Sequence, residues 1–156
     1  MSEGFFCQTD NSTLTVFRES SLNTYGKASI AATLNGSYAG TDLTVSFSSS
    51  AVTSGSAETD IIYQGNKPVP SGNIGMTWCN DAVSARRCDQ HYARWSTAGP
   101  TQSTACHETG HAVGLTHGNR ASPALSNGDD RLRCMTRPSE FSTLGPTNVG
   151  NINATY

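Results

Sequence analysis

The chain has 156 residues, a formal net charge of -2 and only 14% charged residues. That length fits one domain with a real core. The sparse charge argues against a nucleic-acid footprint, the basic residues being scattered apart from Arg86-Arg87. No apolar run approaches the roughly 20 residues that a membrane span requires.

The opening stretch, Met1–Phe6, lacks the basic and long apolar regions of a signal peptide. Thr13–Phe17 alternates and predicts a strand. Leu22, Tyr25, Ser29/Ile30, Thr33/Leu34 and Ser37/Tyr38 follow three-to-four spacing, which predicts a helix over Ser21–Tyr38 that Gly26 and Gly36 weaken. Thr41–Ser48 is a second strand with Leu43, Val45 and Phe47 on one face, and Thr59–Gln64 a third. After the turn cluster Pro68–Gly72 come a fourth, Asn73–Cys79, and a fifth, Gln90–Trp95. A second helix opens after Gly99-Pro100 with Thr101 or Ser103 as N-cap, runs through His111 and should stop at Gly114. Gly118, Asn119, Pro123, Asn127-Gly128 and Pro138 then punctuate an irregular tail. The expected architecture is a single α/β domain over residues 1–156. It has a mixed five-stranded sheet, two main helices (the second carrying the active site) and a loop-rich C-terminal part.

Five cysteines, two lysines and a body rich in Ser, Thr, Asn and Gly suit an oxidising compartment. A secreted mature form, with its leader removed, is the expected state. Cys79 and Cys88 lie nine apart across a turn between strands, where a local bridge is plausible. Cys106 and Cys134 flank the two most informative segments. Cys7 is left over: free, paired with another chain, or parted from a partner that was removed.

The chemistry lies in residues 107–117, HETGHAVGLTH. On a helix, residues four apart stand one turn above each other, so His107 and His111 can aim two imidazoles at one ion. Glu108 sits beside the first ligand and can reach a water there without binding the metal. Gly114, lacking a Cβ, can turn the backbone out of the helix so that His117 returns as third ligand. Three neutral imidazoles leave the fourth tetrahedral position to water, the pattern of one catalytic zinc ion. A chance match at this chain's own residue frequencies is on the order of one in 10⁵.

This stretch resembles the HExxHxxGxxH zinc signature of the metzincin metallopeptidases. The resemblance implies a zinc endopeptidase with Glu108 as general base and acid, and a methionine turn beneath the metal. Met135 is the candidate for that turn. It also implies an upper subdomain of about residues 1–117 and a lower, irregular one over 118–156. Thr59–Gln64 would be an inner strand and Asn73–Cys79 the antiparallel edge strand that binds substrate backbone. If Met135 lies under the metal, Cys106 and Cys134 come together as a second bridge, pinning the active-site helix to that turn. Gly118 after the third histidine is not a usual subfamily marker, and Arg137 stands where an astacin-type fifth-ligand tyrosine would be. The chain looks most like a compact secreted bacterial metzincin, somewhat matrixin-like.

Other residues carry blander readings. His91 is expected to be structural, and Tyr63, Trp78 and Trp95 to be core or cleft-wall aromatics. Asp129-Asp130 could bind calcium, though a solvated turn is the simpler reading. The expected partner is a peptide or protein substrate, met by a monomer. Two rivals stay open: cell-wall amides as substrate, and an inert zinc-stabilised module, against which Glu108 argues because a structural site does not need it.

Overall fold

A computed structural model of the chain describes residues 7–156. It is an α/β fold with a six-stranded, mostly parallel sheet: β1 (Gln8–Thr9), β2 (Thr13–Arg18), β3 (Thr44–Ser48), β4 (Ile61–Gln64), β5 (Gly75–Ala82) and β6 (Arg87–Trp95). Three helices accompany it: α1 (Thr24–Gly36), α2 (Gln102–Ala112) and α3 (Pro146–Asn153). No helix among the described residues is long and apolar enough to cross a membrane.

The long strand β6 organises the sheet. β4 runs parallel along one edge of β6, followed outward by β2 and then β3. β5 lies antiparallel on the other edge, with Gly75 opposite Trp95 and Ala82 opposite Cys88. β1 is the sixth strand, and it pairs Gln8 and Thr9 with Arg87 and Cys88. The five anticipated strands are all present. β1 escaped notice because two residues are too few to display an alternation.

Alternate residues of three strands face the helices: Leu14 and Val16 of β2, Ile61 and Tyr63 of β4, Ala93 and Trp95 of β6. Ile30 and Leu34 of α1, Ala105 and Ala112 of α2, and Ile152 of α3 join them in one hydrophobic core. Asn23 caps α1, its side-chain oxygen accepting from the Gly26 amide at 2.8 Å. Thr101 is the N-cap of α2 and accepts from Thr104. Two buried tyrosine hydroxyls then fix α2 in rotation. Tyr38 donates to the Cys106 carbonyl, and Tyr63 bonds the Thr109 hydroxyl, each at 2.9 Å.

Phe47 sits on the edge strand β3, exposed, with the Arg18 guanidinium 4.6 Å over its ring. One expectation changes here. The tail is irregular through two short 3-10 turns, Gly118–Arg120 and Asp130–Met135, but ends in α3. That helix has three asparagines and Gly150 in its eight residues, so its composition hides it. Asn148 caps it by accepting from the Gly145 amide at 2.9 Å, Pro146 starts it, and burial of Ile152 holds it.

Candidate metal centre

α2 puts His107 and His111 one turn apart, and the chain's exit from the helix brings in His117. The exit is a Schellman turn. The Leu115 amide donates to the Gly110 carbonyl at 2.8 Å, and the Gly114 amide to the His111 carbonyl at 3.2 Å. Gly114 sits at φ +95, in the left-handed region, and a Cβ there would also meet Gln8 at 2.9 Å. Glycine is needed on both counts. The turn does a second job, because the Leu115 carbonyl it presents lies 2.9 Å from His111 Nδ1.

The three imidazoles form a group whose ligand nitrogens all lie within 4.8 Å of one another. His107 Nδ1 is 2.7 Å from the Cys134 carbonyl. With Nδ1–H donating to a carbonyl in both His107 and His111, each Nε2 must be the unprotonated nitrogen. Those two Nε2 atoms are 3.1 Å apart. Two lone pairs at that distance repel unless a cation lies between them. Donors about 2.0–2.1 Å from one tetrahedral zinc would be roughly 3.3 Å apart. The donor set therefore fits zinc: three imidazole nitrogens, two of them held in the correct tautomer by carbonyls behind them. Burial lowers the pKa of His107 to about 4, helped by His117 and Arg137 and opposed by its bond to Cys134. Burial lowers that of His111 well below the ordinary value, so both rings stay neutral.

Glu108 is buried beside this group. The Thr77 hydroxyl of β5 lies 2.7 Å from Glu108 Oε2 and 2.9 Å from the Glu108 carbonyl, so it can donate to the carboxylate. Gly75, two residues back along β5, is packed so closely that a Cβ would stand 2.6 Å from Glu108 Oε1. Burial pushes the Glu108 carboxyl up to about 7, against the Thr77 hydrogen bond, which pulls it down.

Beneath the helix lies Met135, fully buried. Gly110, on α2, leaves the room that its thioether fills, since a Cβ at Gly110 would overlap Met135 Sδ. Cys106 and Cys134 form a disulfide, as do Cys79 and Cys88. Cys7 is free and buried.

Of the other candidates, His91 is buried in β6, with Nε2 3.0 Å from the Cys7 carbonyl, and stands outside the histidine group. Tyr63 and Trp95 stack in the core at 5.8 Å between ring centroids; Trp78, half-buried, stacks on Tyr92 instead. Asp129 is gripped by Arg131 at 2.7 Å and caps its amide, which makes it a turn anchor. Residues Thr77 and Gly75 carried no sequence signal, because nothing local marks a strand residue as the neighbour of a helix carboxylate. No protein-family model matches the chain, and no curated protein matches it.

Proposed function

We propose that the chain is a secreted zinc-dependent endopeptidase of the metzincin type. The observation that carries this reading is the grouping of three histidines, two with Nε2 freed by carbonyls at Nδ1, beside a buried glutamate. A purely structural metal site gains nothing from a buried carboxylate, which costs free energy to desolvate. Two disulfides in so small a chain favour an extracellular setting.

His107, His111 and His117 would hold the ion. Bound there, zinc supplies Lewis-acid chemistry, making a water acidic near neutral pH and polarising the substrate carbonyl. Glu108 does the proton work. Thr77 occupies Oε2, which leaves Oε1 to take the proton of the attacking water and pass it to the departing amine. A pKa lifted by burial suits a group that must both accept and give up that proton.

The substrate would be an extended peptide. β5 pairs only with β6 among the described residues, so its outer edge can take on another strand. Gly75 sits on this strand directly against Glu108, so a segment paired there runs past the general base. The stretch after Met135 would form the pocket for the residue following the cut bond, and Met135, seated against Gly110 of α2, would be the methionine of the turn beneath the metal.

The test is hydrolysis of casein or a quenched peptide by the protein, by Glu108→Ala, and after chelation and return of zinc. Loss of activity in the variant with zinc retained, and rescue of the chelated protein by zinc, support the reading. A zinc-loaded protein that cuts neither substrate refutes general proteolysis.

A further inference from the structure

The Cys79–Cys88 bridge has a third sulfur beside it. Cys7 is buried and unbridged, and its Sγ lies within 4.8 Å of both bridged sulfurs. The sheet holds it there. Gln8 and Thr9, which follow it, pair with Arg87 and Cys88, and the Gln8 amide donates to the Arg86 carbonyl at 3.0 Å. The His91 ring meets the Cys7 carbonyl at 3.0 Å.

We propose that these three sulfurs form an internal thiol–disulfide exchange centre, in which Cys7 attacks Cys88 and Cys79 leaves as a thiol open to modification. The Cys7 thiol gives up its proton and its sulfur bonds to Cys88 Sγ. The Cys79–Cys88 bond breaks, its electron pair goes to Cys79 Sγ, and that sulfur takes a proton. One thiol and one disulfide stand on each side, so neither oxidant nor reductant is consumed.

The direction follows from burial. Attack on Cys79 would expel a thiolate at Cys88, which is fully buried, where an unpaired charge is costly. Cys79 is partly exposed, so water can solvate the thiolate that leaves there. Closing the gap from Cys7 to a bond length of about 2.05 Å needs a shift of at most about 2.8 Å. Burial also raises the pKa of the Cys7 thiol, which keeps it protonated and the exchange slow at rest. The result moves the crosslink from β5–β6 to β1–β6. The exchange stands apart from the hydrolytic reading.

Trypsin cuts after Arg18, Lys27, Arg86 and Arg87, so the three cysteines fall on three peptides. The intact protein is incubated at alkaline pH with iodoacetamide, unfolded without reduction, and mapped by mass spectrometry. We expect label to accumulate on Cys79 over minutes to hours, with a linked Cys7–Cys88 peptide growing in step. In Cys79→Ser, mild oxidation should join Cys7 to Cys88. Label confined to Cys7, or a map that keeps only Cys79–Cys88 throughout, overturns the proposal. So does a folded Cys79→Ser protein that retains two alkylatable thiols after oxidation.

Discussion

Thr77→Val removes one hydroxyl from beside Glu108 and keeps the shape of the side chain. The hydroxyl sits 2.7 Å from Oε2, and Thr77 is itself buried, so water has little room to replace it. A hydrogen bond to a charged group contributes about 1.5–3 kcal/mol. If it serves to hold the carboxylate in its working position, that range corresponds to a fall in kcat/KM of about 10- to 150-fold. The loss should fall on kcat, because Thr77 holds the base and not the substrate. Thr77→Ser keeps the hydroxyl and should recover most of the rate. The assay is quenched-peptide hydrolysis with zinc content measured on each protein, so that lost metal is not mistaken for a misplaced base. A Thr77→Val enzyme with full zinc and kcat within twofold of the parent would refute the reasoning. An inactive parent would instead refute the hydrolytic reading.

Gly110→Ala forces a methyl into Met135, and overpacking of this kind costs about 1–3 kcal/mol, so thermal melting should fall by roughly 2–12 °C. An unchanged midpoint would show that Met135 can move aside freely. Removing both Cys106 and Cys134 opens a crosslink spanning 28 residues, for an expected loss of about 3.5 kcal/mol in denaturant titration. Zinc affinity should weaken with it, since the Cys134 carbonyl backs His107; unaltered affinity would argue against that coupling. His91 has its pKa lowered by burial, against the pull of the Cys7 and Asp60 backbone and the charge of Asp10. Its folded pKa therefore lies below its unfolded one, and the unfolded chain binds more protons. The stability it supports is complete above about pH 6.5 and is lost as pH falls toward the folded value. Denaturation midpoints should drop more steeply between pH 7.5 and 5.5 in the parent than in His91→Gln, and equal slopes would rule this out.

The site was legible where its chemistry is local. The spacing of His107, Glu108, His111, Gly114 and His117 is written along one helix and its exit turn, so periodicity alone brings them together. The Cys79–Cys88 bridge was legible for the same reason, since nine residues across a hairpin can meet. What sequence could not show lies across the fold. Thr77 and Gly75 reach Glu108 only because β5 runs antiparallel on the far edge of β6, and a strand of its composition could have been placed elsewhere. Gly26 counted against α1, yet its missing Cβ admits the chain at Ala98, whose carbonyl would otherwise be 2.5 Å away. A helix propensity scale sees only the cost of that glycine, because the compensating contact is tertiary. α3 went unseen for a similar reason: its stability comes from Ile152 docking in a core assembled elsewhere.

α2 and the irregular segment beneath it are joined at three points: the Cys106–Cys134 bridge, the His107 contact with the Cys134 carbonyl, and Met135 set against Gly110. Neither part can open by itself without exposing the fully buried Met135 and breaking the imidazole contact, so the two should behave as one cooperative unit. Amide protons near Cys134 and Met135, at the end of a short, kinked 3-10 turn, would then exchange with solvent as slowly as those of the helix.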